Sequence, residues 1–170
     1  MSNRKNTILF YLYLGLIALV LFILQYNSAF SISIGSANAM LMLSLCVCFS
    51  MFADELHSVC FALVIGSITD GAASGTHFIF NTVTFIMISL AVSLIVKFLF
   101  NNNYRSSLAL GIIMSGVYYI LRFTFCAPKT GLANSTRLFL GSYLPSIIYT
   151  AITVIILYFP IKHLFIKYNK

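Results

Sequence analysis

The sequence predicts an all-α membrane protein: one bundle of six transmembrane helices, with both termini on the cytoplasmic side. Three observations predict it. Hydrophobic residues fill 61% of 170 positions and charged residues only 8%, and mean hydropathy is +1.00, which leaves no room for a soluble domain. Apolar runs follow one another with short polar breaks, and about 20 such residues make a helix that crosses a ~30 Å hydrocarbon core. The runs are also continuous, as in Ile17 to Leu24 and Thr153 to Phe159, where a barrel strand would alternate apolar and polar residues. Lipid offers the backbone no hydrogen-bond partners, so helices remain.

The first span is expected over residues 7–25. Arg4 and Lys5 ahead of it resemble the start of a signal peptide. The run is longer than a typical h-region of about 7–15 residues, and no A-x-A-like site follows, so a retained span is expected. The second span, 32–52, opens on Gly35, Ser36, Ala37 and Asn38. The third, 58–70, is short and ends at Asp70; its twelve residues before that acid rise ~18 Å. It is either a protein-buried crossing that recruits residues from both ends or a re-entrant segment. A concentrated small and polar stretch follows, from Asp70 to His77. The fourth span, 78–100, ends in the turn of Asn101, Asn102 and Asn103. The fifth covers 106–125. The longest loop, 126–136, carries Pro128 and Gly131, and the sixth span, 137–161, has Pro145 in its first turns.

Basic residues orient these spans. With the N-terminus inside and six crossings, Arg4, Lys5, Lys97, Arg105, Lys162, Lys167 and Lys170 fall inside and Lys129 and Arg137 outside, seven against two. That bias supports both termini on the inner side, and it favours a true third crossing. The net charge of +7 does not point to nucleic acid, because the basic residues stand singly or in pairs at span ends and form no stripe. They read as topology markers and anionic-lipid contacts.

Few residues could carry chemistry. Asp70 and Arg122 sit at similar depth near the outer side. Ionisable groups inside a membrane tend to pair or face a cavity. One reading is therefore an ion pair of Asp70 with Arg122 or with Arg137. The other is that Arg122 snorkels to the headgroups while Asp70 caps a helix end. Gly71 and Gly75 have the spacing that brings helix backbones together, but they lie in a break, and a tight turn with glycine at positive φ is the expectation. Gly111 and Ser115, beside Gly116, lie inside the fifth span and are the better candidates for close helix packing.

His57, His77 and His163 show no metal-ligand spacing. Cys46, Cys48, Cys60 and Cys126 form no C-x-x-C and read as packing residues. Asn134-Ser135-Thr136 fits a glycosylation sequon, which matters only in a eukaryotic secretory protein. With three acids and no nucleophile beside a base, catalysis is not expected, and neither a metal nor a cofactor is implied.

The order of short motifs is similar to that of the MreD family of rod-shape-determining membrane proteins. The resemblance rests on Ala37-Asn38-Ala39-Met40-Leu41-Met42 opening the second span, on Gly66-x-x-x-Asp70, and on Gly75-Thr76-His77 opening the fourth. It rests also on Tyr143-Leu144-Pro145 leading into Tyr149-Thr150. It covers most of the chain, strongest over residues 38–99 and from 138 onward. The chain departs in a short interval between Asp70 and Gly75 and in Asn38, where proline is common. The resemblance implies a non-enzymatic multi-pass protein of the bacterial inner membrane that belongs to the lateral-wall elongation machinery. Its implied partners are a single-span MreC-like protein and the glycosyltransferase and transpeptidase that build peptidoglycan. A six-helix substrate-binding subunit of a vitamin-type importer is the alternative of like size and topology. A binder needs a concave pocket with polar groups aimed at a ligand; a scaffold needs an apolar groove filled by another chain.

Overall fold

A computed structural model describes residues 2–27, 33–34, 37–72, 79–98, 104–126 and 139–168. Among these the chain forms six helices: α1 (Ser2–Tyr26), α2 (Leu41–Ser50), α3 (Glu55–Ala72), α4 (Phe80–Phe98), α5 (Tyr104–Cys126) and α6 (Leu144–Tyr168). A π turn, Phe139–Tyr143, runs straight into α6. The all-α architecture is interrupted once, where β1 (Ser33–Ile34) pairs antiparallel with β2 (Ala37–Asn38), Ser33 opposite Asn38 and Ile34 opposite Ala37. Arg137, Gly75 and His77 lie outside the described residues, as does the sequon.

The helices alternate in direction. Phe10 of α1 meets Phe165 of α6 edge-on, with centroids 5.0 Å apart, and Tyr13 meets Tyr168, so α1 begins where α6 ends. This is the terminal end of the bundle. At the far end, the last turn of α1 touches the start of α2 and the last turn of α3, through Gln25 and Tyr26.

Two elements differ from the sequence expectation. The second span was expected as one helix over 32–52, yet α2 has only 10 residues, ~15 Å of rise. Residues 33–34 and 37–38 carry strand pairing in its place. Ser33, Gly35 and Ser36 are poor helix formers, and serine offers the backbone competing hydrogen bonds. The third span, expected over 58–70, is a longer helix of 18 residues, ~27 Å. α2 is therefore the shortest helix, and among the described residues neither α2 nor α3 is both long and apolar enough to cross a membrane by itself. The sixth span also runs beyond residue 161, to Tyr168. Pro145 lacks an N–H and its ring crowds the carbonyl four residues back, at Gly141, and the turn there is widened to π.

α2 is the centre of the molecule. Every residue from Leu41 to Ser50 is buried, as befits a helix that is apolar all round. It packs on α6, α3, α4, α1 and α5. The most extensive pairs are α3 with α4 and α5 with α6, whereas α4 and α5 touch sparingly.

Polarity is arranged for lipid. Ser44, Ser50, Thr69, Ser89, Ser107, Ser115 and Thr150 are buried, while Ile8, Leu12, Leu16, Leu19, Met87, Ile113, Ile120, Ile156 and Phe159 lie exposed. A water-soluble fold would leave no such continuous apolar exterior. In lipid it is unstrained, and small hydroxyl residues at helix contacts let the helices approach.

Candidate functional site

The far end of the bundle gathers the polar side chains that sequence reasoning singled out. Gly66 and Asp70 are one turn apart and share a face of α3. At Gly66 the backbone of α4 comes so close that an added Cβ would meet Thr82 Cα at 2.5 Å. One turn further on, the Asp70 carboxylate takes over the start of α4. Its Oδ1 accepts the Asn81 N–H at 3.0 Å, and its Oδ2 accepts the Thr82 N–H at 2.8 Å and the Thr82 hydroxyl at 2.6 Å. The first N–H groups of a helix have no intrahelical partner and carry partial positive charge. An acid from the neighbouring helix satisfies both needs. Just before this start, Ile79 adopts φ 78°, a conformation that costs a β-branched residue on the order of 1–3 kcal/mol. The Asp70 cap and the Gly66 contact hold α4 where that residue must turn.

A chain of hydrogen bonds leads from this cap into α5. Tyr118 is fully buried and donates to Asn81 Oδ1 at 2.7 Å. Arg122, exposed on the last turns of α5, donates from Nη1 to the same tyrosine oxygen at 3.2 Å. Asp70 and Arg122 are thus linked through Asn81 and Tyr118 without touching. Among the described residues the one ion pair is at the opposite end, where Lys97 Nζ lies 2.6 Å from Glu55 Oε1. That hydrogen bond holds the Glu55 carboxyl, ahead of the 58–70 stretch, below the usual carboxylate range.

The start of α2 lies inside the bundle and is also capped from outside its own sequence. Gln25 Oε1 of α1 accepts the Met42 N–H at 2.9 Å, and Thr150 Oγ1 of α6 accepts the Met40 N–H at 3.2 Å. Ser44 donates to the carbonyl of Thr150 at 3.1 Å. Tyr26 reaches the carbonyl of Thr69 at 3.2 Å, tying α1 to the turn that carries Asp70. Non-helical backbone at membrane depth is tolerated where protein groups satisfy it, and here they do.

The remaining candidates separate. Gly111 packs on α6, where an added Cβ would meet the Val154 side chain at 3.1 Å. Ser115, one turn on, donates to the Ile147 carbonyl at 3.4 Å. The two therefore form a small-residue seam. Gly71 was expected in a tight turn at positive φ. It stays inside α3 as an ordinary helical residue with nothing within 4 Å of an added Cβ, because α3 continues a turn beyond residue 70. Gln25, Asn81, Thr82, Tyr118 and Thr150 were not foreseen. For Gln25, Asn81 and Thr82 the signal was a hydrogen-bonding residue near the edge of an apolar run, which many lipid-facing or interfacial residues share; Tyr118 and Thr150 stand inside their runs, where a lone hydroxyl gives little signal.

The junction holds amides, hydroxyls, one carboxylate and one guanidinium, each engaged in joining helices. Among the described residues no group of three His, Cys, Asp or Glu side chains could hold a metal ion.

Among the described residues four helices are long and apolar enough to cross a membrane, and a shorter one, α2, is buried among the helices. This is a multi-pass helical membrane protein. In comparisons with family models, curated proteins and solved structures, nothing matches the chain.

Proposed function

We propose that the chain is a non-enzymatic scaffold of the bacterial cell-wall elongation complex, seated in the plasma membrane and supporting peptidoglycan synthesis and cell shape. One observation carries the reading. Between α4 and α5 a groove of about 830 Å³ opens along the outside of the bundle, lined by residues such as Phe80, Val83, Met87, Met114, Val117 and Leu121. Its polar lining residue, Thr84, spends its hydroxyl on the Phe80 carbonyl at 2.7 Å. A groove of this character receives an apolar rod such as a partner's span. A vitamin-binding subunit would need polar groups aimed into a concave site. The short motifs that resemble the MreD family point the same way and supply the partners: a single-span MreC-like protein first, and through it the glycosyltransferase and transpeptidase.

The test is co-purification in mild detergent with a candidate MreC-like protein. Retention of that protein is expected, with loss on Val83→Trp or Val117→Trp, which fill the groove while leaving Gly66 and Asp70 untouched. Depletion of the chain in a rod-shaped host should round the cells. A stoichiometric small molecule carried through purification, with no retained single-span protein, would favour the importer subunit and remove the scaffold reading.

A further inference from the structure

At the terminal end of the bundle a cavity of about 140 Å³ opens between α1, the end of α2, the start of α3 and the end of α6. The rings of Phe10, Tyr11, Phe52, Phe165 and Tyr168 line it together with the polar Thr7, His57 and Asp54. The rings fix one another: Phe10 stands edge-on to Phe165 with centroids 5.0 Å apart, and Phe52 stacks on Phe165 at 5.5 Å. Asp54 is exposed. Its backbone carbonyl accepts the Ser58 N–H in the first turn of α3, and among the described residues no donor reaches its carboxylate. The nearby Lys97 is already bonded to Glu55.

We propose that this cavity holds an alkylammonium group, supplied by the headgroup of an aminophospholipid in the adjoining leaflet. Aromatic faces attract cations through the ring quadrupole, and a carboxylate at the rim adds to that attraction. The same end of the molecule already shows the preference. Lys162 Nζ lies 5.4 Å from the Tyr158 ring centroid, and Lys167 Nζ lies 5.3 Å from that of Tyr168. The volume is well below the ~300 Å³ at which pockets begin to take drug-sized ligands, so it suits a small headgroup. Ile8 and Leu12, both exposed on α1 beside the cavity, extend an apolar track for acyl chains. That track is what distinguishes a lipid from a free soluble amine.

The full chain, purified and reconstituted in mixed phosphatidylethanolamine–phosphatidylglycerol nanodiscs, is released and its retained lipid quantified by native mass spectrometry. Phosphatidylethanolamine should be enriched roughly fivefold over its share of the bilayer, as one cation–π contact predicts. Asp54→Asn should abolish the enrichment without lowering the melting temperature, since asparagine serves equally well at a helix N-cap. Tyr11→Leu, on a lipid-facing part of α1, should reduce it independently. In phosphatidylglycerol-only nanodiscs, tetramethylammonium should raise the melting temperature of the parent chain but not of Asp54→Asn. No enrichment, or enrichment that survives both substitutions, overturns the proposal. A tetramethylammonium shift with no retained aminophospholipid overturns its lipid source and leaves a soluble amine as the ligand.

Discussion

Gly66 of α3 faces the backbone of α4 at Thr82, and the space between them does not admit a methyl group. The contact sets how closely α3 and α4 run together, in the most extensive helix pair of the bundle. Gly66→Ala would have to push the helices apart, at a cost of about 1–3 kcal/mol for overpacking. Gly71, five residues on, offers the control. It is helical with open space beside it, so Gly71→Ala should be neutral or stabilise by up to about 1 kcal/mol through helix propensity. Thermal unfolding of both variants in detergent should show opposite signs, and equal losses would mean that Gly66 is not a contact point.

The Asp70 cap makes a second pair of expectations. Asp70→Ala removes the acceptor of two N–H groups and a hydroxyl, and should cost about 0.5–2 kcal/mol, the usual range for a lost cap. Thr82→Val removes one of the same bonds, so the double variant should lose less than the sum. Arg122→Gln and Asp70→Ala act on one hydrogen-bonded chain through Tyr118 and Asn81, so a coupling of at least about 0.5 kcal/mol is expected between them. Strict additivity in that cycle, read by thermal unfolding in detergent, would mean that the chain through Asn81 and Tyr118 does not join the two charges.

Much of this architecture is legible in the sequence, and the reason is the solvent. Lipid forces continuous apolar runs, so α1, α4, α5 and α6 announce themselves by length alone, and the Gly66-x-x-x-Asp70 spacing places both residues on one helix face. Gly111 and Ser115 are legible for the same reason, since small residues one turn apart make a seam. The length of α2 is not legible. Residues 32–52 are apolar enough to span, and hydropathy does not distinguish a continuous helix from a strand pairing followed by a short one. Nor is the cap on α4, because its acceptor belongs to another helix. Arg122 shows the same limit: its depth is readable, but its choice of Tyr118 depends on where Asn81 is placed by α4.

At the α5–α6 seam, Gly111 sits against the Val154 side chain at 3.1–3.3 Å. These neighbours are the branches of one valine, which can yield a little. Gly111→Ala should therefore destabilise by about 1 kcal/mol, at the low end for overpacking, and Val154→Ala should recover part of that loss in the double variant. Non-additivity of this kind is expected of residues in contact. Melting temperatures of the two single variants and the double variant settle it, and strict additivity would place the seam elsewhere.

The buried start of α2 is held by side chains of two other helices, so its stability is shared among α1, α2 and α6. Gln25→Leu leaves the Met42 N–H without its acceptor, and Thr150→Val does the same to Met40. Each change keeps the approximate size of the side chain, so the principal loss is a hydrogen bond to a buried donor, about 1–3 kcal/mol. Thr150→Val should be the more costly, because its hydroxyl also donates to the Ser146 carbonyl at 2.7 Å and lies 3.4 Å from the Tyr119 hydroxyl. Hydrogen exchange localises the effect. Protection at Met40 and Met42 should fall in both variants, while the middle of α5 stays protected until global unfolding. Unchanged protection at those two amides would mean that α2 is satisfied from within its own segment and that α1 and α6 merely pack beside it.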